Sequence, residues 1–253
     1  MFLVYDLYIP TQGEQYACWL MSPTIISCRG PESAEYQHKF QEKKAILEGD
    51  LSALLSEGLD PNHLPDIYQR LGLKHFEIDA GSSLPDQIQN ALENRGPFIM
   101  VRPSLGADGI HAETILGILK GDEHNADKIV VLRGDTMTGT IGYYSVNDFK
   151  ELMLTAKESP LTSGLNHFWH LQANVGHTDE IAKKDQRTCE ELYSRAIKSI
   201  DPHHPKASHA YSSSSSLHGN PSSFFASGGE KKPLLEDSKK NTCCPCSDCC
   251  TIL

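Results

Sequence analysis

Cys18, His111 and Asp135 have the side chains of a nucleophile, its base and an orienting carboxylate. Cys18 directly precedes an apolar run that starts at Trp19, and a thiol in the first turn of a helix lies in a positive field that favours the nucleophilic thiolate. A histidine held by a carboxylate can take the thiol proton and later protonate a leaving amine. We therefore predict carbonyl chemistry with Cys18 as nucleophile, His111 as general base and acid, and Asp135 as the residue that orients the imidazole.

Each of these residues also has an ordinary structural explanation. Cys18 is equally compatible with a small buried hydrophobic residue. His111 can be a hairpin histidine that bonds to the backbone, and Asp135 can be a turn residue in the sequence Gly-Asp-Thr. Taken one at a time, these structural explanations are the stronger ones, but the order of Gln12, Cys18, His111 and Asp135 along the chain, each in its local context, favours the catalytic interpretation.

The segment around Cys18 resembles the active-site segment of the papain-like cysteine peptidases. In that family a glutamine followed by glycine stands six positions before the nucleophilic cysteine, and a tryptophan follows the cysteine; Gln12, Gly13, Cys18 and Trp19 match this spacing. The resemblance implies that the Gln12 amide and the Cys18 backbone N–H form an oxyanion hole, whose donors stabilise the negative oxygen of the transition state. Residues 14–17 depart from the small residues and extra cysteine common in secreted members.

The resemblance extends to the histidine and the aspartate. His111 and Ala112 match the His-Ala that opens an apolar strand in this family, and Asp135 stands where the family has Asn or Asp at the end of the next strand. Fewer residues separate Cys18 from His111 than separate the cysteine and the histidine of secreted members. The separation is similar to that in the compact papain-like peptidases of bacteria, including secreted effectors. The resemblance covers residues 12–149 and implies a papain-like fold.

Hydrophobic periodicity predicts the elements that must position these residues. Apolar residues recur at helical spacing over residues 33–73, with an interruption at Gly58 and Pro61. Compact apolar runs after residue 96 indicate buried strands. We expect helices at 64–71, 84–94 and 178–200, a helix through 148–153 capped by Ser145 or Asn147, an apolar element at 165–171, and strands at 1–10, 73–78, 97–101, 111–119 and 129–133. Ser83 is a candidate cap for the helix at 84–94. The sequence thus predicts an α+β fold in which an N-terminal helical half packs against an antiparallel sheet.

Composition narrows the function classes. The formal net charge of −10 argues against a nucleic-acid partner. No segment has the apolar length to cross a bilayer, and the N-terminus lacks the basic region of a secretion signal. The cysteine spacing favours a reducing cytosol over a disulfide framework. His167, His170 and His177 have no acidic or cysteine partner at ligand spacing, so we expect neither a metal site nor a cofactor.

The last fifty residues have a different composition. We expect a papain-like peptidase domain over residues 1–200 and a disordered, flexible tether over 201–253, because the tether has a run of serines, paired glycines, scattered prolines and few large apolar residues. Its last four residues, starting with Cys250, form a prenylation pattern in which the final leucine indicates geranylgeranyl. The neighbouring candidates for S-palmitoylation are Cys243, Cys244, Cys246 and Cys249. A thiolate metal cluster is the alternative for these cysteines, but it does not account for the last three residues.

These observations predict a membrane-tethered cysteine peptidase that hydrolyses peptide or isopeptide bonds of host or cytoplasmic proteins. Its partners would be a protein substrate, a prenyltransferase and, through the lipid anchor, the cytoplasmic face of a eukaryotic membrane, with the catalytic domain in the cytosol. A bacterial effector lipidated by its host is one form of this hypothesis. Two alternatives stay open: an acyltransferase or deamidase with the same triad, and a lipid-anchored adaptor without chemistry.

Overall fold

Seven antiparallel strands form one sheet at the centre of the fold. The computed structural model describes residues 1–12, 17–49, 59–81, 83–104, 110–121, 128–172 and 177–200. The strands are β1 (Phe2–Val4), β2 (Leu73–Phe76), β3 (Phe98–Pro103), β4 (Ile110–Leu119), β5 (Val130–Asp135), β6 (Thr140–Ser145) and β7 (Phe168–Leu171). Their order is β2-β7-β3-β4-β5-β6, and β1 pairs with β4 beside this path.

Helices pack on this sheet and complete an α+β fold, which confirms the predicted class. Those in the described residues are α1 (Cys18–Ile25), α2 (Ser33–Ile46), α3 (Leu64–Arg70), α4 (Leu84–Arg95), α5 (Val146–Glu158), α6 (His177–Glu180) and α7 (Gln186–Ile200), with a 3-10 turn at Pro61–His63. No helix in the described ranges is long and apolar enough to cross a bilayer.

Local sequence explains where two of the helices begin. Ser145 caps α5, because its hydroxyl accepts from the Asp148 N–H while the Asp148 carboxylate accepts from the Ser145 N–H. This confirms one of the two caps expected for that helix. Ser83 does precede α4, but its hydroxyl accepts a hydrogen bond from the Gln87 side chain at 3.1 Å and caps no backbone N–H, so the predicted cap is wrong.

The sheet has an apolar core on each face, because the side chains of β3 alternate between them. Phe98 and Met100 belong to a cluster with residues of α4 and α5. Ile99 and Val101 belong to a second cluster that includes Trp19 of α1 and residues of α3. The buried strand predicted at 97–101 is therefore confirmed, and the start of α1 lies with the second cluster.

Two predicted elements near the C-terminal end of the sheet have a different form. The apolar element at 165–171 contains β7, which inserts between β2 and β3 and places Trp169 opposite Ile99. The single helix predicted at 178–200 is wrong, because residues 181–185 separate α6 from α7. In this break the Lys184 N–H donates to Val4 O at 2.9 Å, so the chain exchanges helical hydrogen bonds for bonds to the segment around β1.

Candidate active site

Helix α1 places Cys18 at the start of β4. The helix begins at Cys18, and the N–H groups of Leu20 and Met21 bond to Ala17 O at 2.9 and 2.8 Å, so the position predicted for the thiol in the first turn is confirmed. One turn later, Ser22 Oγ donates to Ala112 O at 3.0 Å. Because residues four apart share a helix face, Cys18 lies on the side of α1 that docks on β4, and its side chain is 0% exposed.

Gln12 is anchored to the turn that follows β5. Its backbone N–H donates to Thr136 O at 2.5 Å, and the Thr136 hydroxyl donates to Gln12 Oε1 at 3.4 Å. Because the side-chain carbonyl of Gln12 accepts this bond, the amino group of the same amide points away from Thr136. An amide that serves as an oxyanion donor needs its amino group to face the reacting carbonyl. Gly13 and residues 14–16 of the papain-like segment lie outside the described residues.

His111 is a buried histidine whose two ring nitrogens have different surroundings. Its side chain is 8% exposed, and its Nε2 lies 3.5 Å from Oε1 of Glu113. Its Nδ1 is buried and has no hydrogen-bond partner among the described residues. A carboxylate at Nε2 favours the tautomer that carries its proton there, which leaves Nδ1 as the basic nitrogen.

Asp135 reaches the site through an arginine. Its Oδ2 lies 3.4 Å from Nη2 of Arg133, and its Oδ1 accepts from the Met137 N–H at 2.9 Å. Among the described residues, the carboxylate that contacts His111 is that of Glu113. Asp135 closes β5 close to Glu113, because Thr114 pairs with Gly134, and its orienting role stays a prediction.

Glu113 is the site residue that the sequence reasoning missed. Its carboxylate is 0% exposed and lies 2.6 Å from Arg102 Nη2 and 3.2 Å from Arg133 Nη1. The Tyr144 hydroxyl donates to it at 2.8 Å. A usable signal existed, because residues two apart on a strand project from the same face and Glu113 is two positions after His111.

Burial and charge act on these groups in opposite directions. Burial alone would raise the pKa of Glu113, but the charges of Arg102 and Arg133 outweigh it and hold that pKa well below its usual range. Burial would lower the pKa of each arginine, yet the Glu113 charge raises both. Burial raises the pKa of Tyr144, so its hydroxyl keeps the proton that it donates. The charges of Arg102 and Arg133 therefore balance those of Glu113 and Asp135. A pair formed by a Cys18 thiolate and a His111 imidazolium would add no net charge to this cluster.

The other cysteines in the described residues are buried thiols with no disulfide between them. Burial, followed by the charge of Glu35, raises the pKa of Cys28 to about 12. Burial also raises the pKa of Cys189. Both thiols are therefore expected to react slowly, and they are internal references for Cys18.

Two of the three histidines considered as metal ligands, His167 and His170, have other partners. The ring of His167 lies 3.3 Å from Val101 O, and that of His170 lies 3.3 Å from Arg95 Nη1. No group of three or more potential metal-ligating side chains occurs in the part of the chain that the structure describes. The candidate lipidation sites lie outside that part: Cys243, Cys244, Cys246, Cys249 and Cys250.

Comparison with known proteins leaves this geometry as the basis for a functional proposal. No family model matches the chain, and no curated protein matches it either.

Proposed function

We propose that this chain is a papain-like cysteine peptidase that cleaves peptide or isopeptide bonds of cytoplasmic proteins. The observation that carries the proposal is the state of the His111 imidazole, with Nε2 against a carboxylate and a buried Nδ1 without a described partner. A buried polar atom without a partner costs about 1–3 kcal/mol. A nitrogen that accepts a proton during a reaction explains why the fold keeps such an atom.

The proposed reaction has two halves, formation of an acyl-enzyme on Cys18 and its hydrolysis. His111 Nδ1 takes the proton from Cys18 Sγ, and the thiolate attacks the carbonyl carbon to form a C–S bond. The Gln12 amino group and the Cys18 N–H hold the resulting oxyanion. The C–N bond then breaks as the imidazolium protonates the leaving amine. Water, deprotonated by the same nitrogen, attacks the thioester and releases the acid and the thiol.

The C-terminal tail supports the membrane part of the proposal. Where Leu253 is the last residue of the protein, a prenyltransferase would modify Cys250, and palmitoylation of a neighbouring cysteine would supply the second anchor that stable attachment needs. The enzyme would then act at the cytoplasmic face of a eukaryotic membrane, which for a bacterial effector is a host membrane. We expect Cys250→Ser to move the protein from the membrane fraction to the soluble fraction of transfected cells without changing Cys18 reactivity. Persistence of Cys250→Ser and of a variant lacking all five tail cysteines in the membrane fraction would contradict the anchor.

Two observations favour the adaptor alternative. Cys18 is 0% exposed, whereas an attacking sulfur must reach its substrate. Cys18 also shares an apolar cluster with Ile110 and Ala112 of β4, whereas His111 alternates with these residues and leaves the other face of the strand. The rate of Cys18 alkylation separates the two functions, since an inert structural thiol behaves like Cys28. Acyl transfer and deamidation share the chemistry of the peptidase, and mass analysis of the products distinguishes them by whether water or an amine receives the acyl group.

The deciding experiment measures Cys18 alkylation by iodoacetamide against pH in the full chain, with site-resolved mass spectrometry. We expect Cys18 to react well below pH 8, because an unperturbed thiol has a pKa of about 8.5 and a paired thiolate titrates lower. Cys28 and Cys189 are the internal controls, and His111→Ala should remove the low-pH reactivity. Equal rates for Cys18 and Cys189 at every pH would overturn the peptidase proposal and favour the adaptor.

A further inference from the structure

We infer that Glu113 is the positioning residue for the catalytic imidazole, holding the His111 ring through Nε2 while Asp135 acts indirectly through Arg133. This inference rests on the proposed function and replaces the carboxylate that the family resemblance implies. It starts from the contacts of the two acids. Glu113 Oε1 lies 3.5 Å from His111 Nε2, whereas the described contacts of the Asp135 carboxylate are with Arg133 and with the Met137 N–H.

The backbone makes the Glu113 contact hard to lose. Both residues belong to β4 and are two positions apart, so their side chains leave the same face of one strand. A carboxylate on the same strand keeps its place even if β5 shifts. Asp135, at the last position of β5, depends on the turn that follows it.

Donors from three other strands hold the Glu113 carboxylate. Arg102 approaches from β3, Arg133 from β5 and the Tyr144 hydroxyl from β6, while His111 is its neighbour on β4. These three donors from neighbouring strands leave the carboxylate little freedom to rotate. A rigid acceptor beside Nε2 fixes the plane of the imidazole and therefore the direction of Nδ1.

The same contacts define an electrostatic role. Arg102 lies opposite His111 in the pairing of β3 with β4. Without Glu113, the positive charges of Arg102 and Arg133 would repel a protonated His111 ring. Among the described groups, Asp135 would then be the counter-charge that remains. Glu113 supplies the negative charge closest to the ring in the described structure. Its charge is opposite to that of the imidazolium that the thiolate pair requires.

The first test measures the tautomer of His111 and needs no change at Glu113. In the full-length Cys18→Ala protein labelled with nitrogen-15, NMR at a pH where the ring is neutral should find the proton on Nε2; His111→Gln assigns the signal among the 12 histidines. A proton on Nδ1 would overturn the proposal, because Nδ1 is then no base and Nε2 no donor to Glu113.

The second test compares Glu113→Gln with Tyr144→Phe in the alkylation assay. Loss of the charge should move the midpoint of the Cys18 pH profile up by about one unit, which slows alkylation at pH 6 about tenfold. Tyr144→Phe also removes a hydrogen bond to Glu113 but keeps the charge, so it should leave the midpoint in place. A shift with Asp135→Asn and none with Glu113→Gln would overturn the inference.

These tests separate the inference from the proposed function. If Cys18 reacts fast and depends on His111, but Glu113→Gln leaves the midpoint unchanged, the peptidase stands and the role of Glu113 is refuted. If Cys18 is inert in the unsubstituted protein, the peptidase fails and so does a positioning role for Glu113 in catalysis. Should Glu113→Gln fail to fold, a proton on Nδ1 in the tautomer measurement still refutes the proposed contact of Nε2 with Glu113.

Discussion

The two halves of β4 bury different kinds of side chain within one strand. The second half, Leu116 to Leu119, is apolar and lies between β5 and β1. The first half contains His111, Glu113 and Thr114, which are all buried. A register shift between Ile115 and Gly117 in the pairing with β5 marks the boundary, as bulges often do beside functional sites.

The two halves also differ in what their burial costs. The apolar half gains free energy by removing hydrocarbon from water. The polar half buries a carboxylate that needs two arginines, and it keeps His111 Nδ1 and Thr114 Oγ1 without described partners. Local rules of stability are broken mainly where a chain has a function. The contrast therefore supports placing the chemistry at the first half of β4 and stability at the second.

The largest effect is expected at the sulfur. Cys18→Ala should lower the turnover of cleaved proteins by a factor of about ten thousand or more, because a covalent mechanism loses its nucleophile. The change should be found by counting new protein N-termini after incubation with a cytosolic extract. Urea unfolding of the same variant should stay close to that of the unsubstituted protein. Undiminished cleavage by Cys18→Ala would remove the first half of β4 from the chemistry.

A smaller but still large effect is expected on stability when the buried carboxylate is neutralised. Glu113→Gln should lower the free energy of unfolding at pH 7 by about 3 kcal/mol, because it leaves two buried arginines short of a counter-charge.

The pH dependence of this loss has a defined sign. The folded pKa of Glu113 is lowered, so its contribution is complete above the unfolded pKa of about 4.3 and declines as the pH falls below that value. Urea titrations at pH 7, 5 and 3 should therefore show the difference between the two proteins shrinking at pH 3. A difference that grows on acidification would mean that Glu113 is not ionised in the fold.

The apolar half should respond to added volume and not to charge. Gly117 lies against β1, where an added Cβ would come within 2.8 Å of the Val4 Cα. Gly117→Ala should thus lower the free energy of unfolding by about 2 kcal/mol, with Cys18 alkylation unchanged in the protein that remains folded. Gly164→Ala is the control, since an added Cβ there meets nothing within 4 Å. A selective loss of Cys18 reactivity in Gly117→Ala would contradict the assignment of chemistry to the first half of β4 and stability to the second.

The sequence predicted the elements better than the contacts among them. The strands at 97–101, 111–119 and 129–133 follow from compact apolar runs, and each begins within one residue of the start of an observed strand. β7 was not identified as a strand, because its place between β2 and β3 depends on pairing with residues far away in the chain. The break at 181–185 has the same origin, since bonds to the segment around β1 outweigh local helical preference.

The candidate site divides in a similar way. The position of Cys18 at a helix start follows from the apolar run after it. The resemblance identifies His111 and Asp135 as candidates but not Glu113, although Glu113 is two positions from His111 on the same strand. The partners of Glu113 come from β3, β5 and β6. No local pattern shows that two arginines and a tyrosine from three strands meet one carboxylate.

The smallest effect concerns the turn that holds Gln12. Gly139 has a φ of +68° and lies against the Thr11 side chain, whereas Gly72 has a φ of +79° and open space around it. Alanine at either position should cost about 1 kcal/mol of stability, because both need the left-handed backbone. Only Gly139→Ala should also push on Thr11, displace the neighbouring Gln12 and lower kcat/KM for cleavage, leaving the pH profile of Cys18 alkylation in place. Equal activity of the two variants at matched folded fraction would show that the oxyanion donor does not depend on this turn, and would confine the chemistry to α1 and the first half of β4.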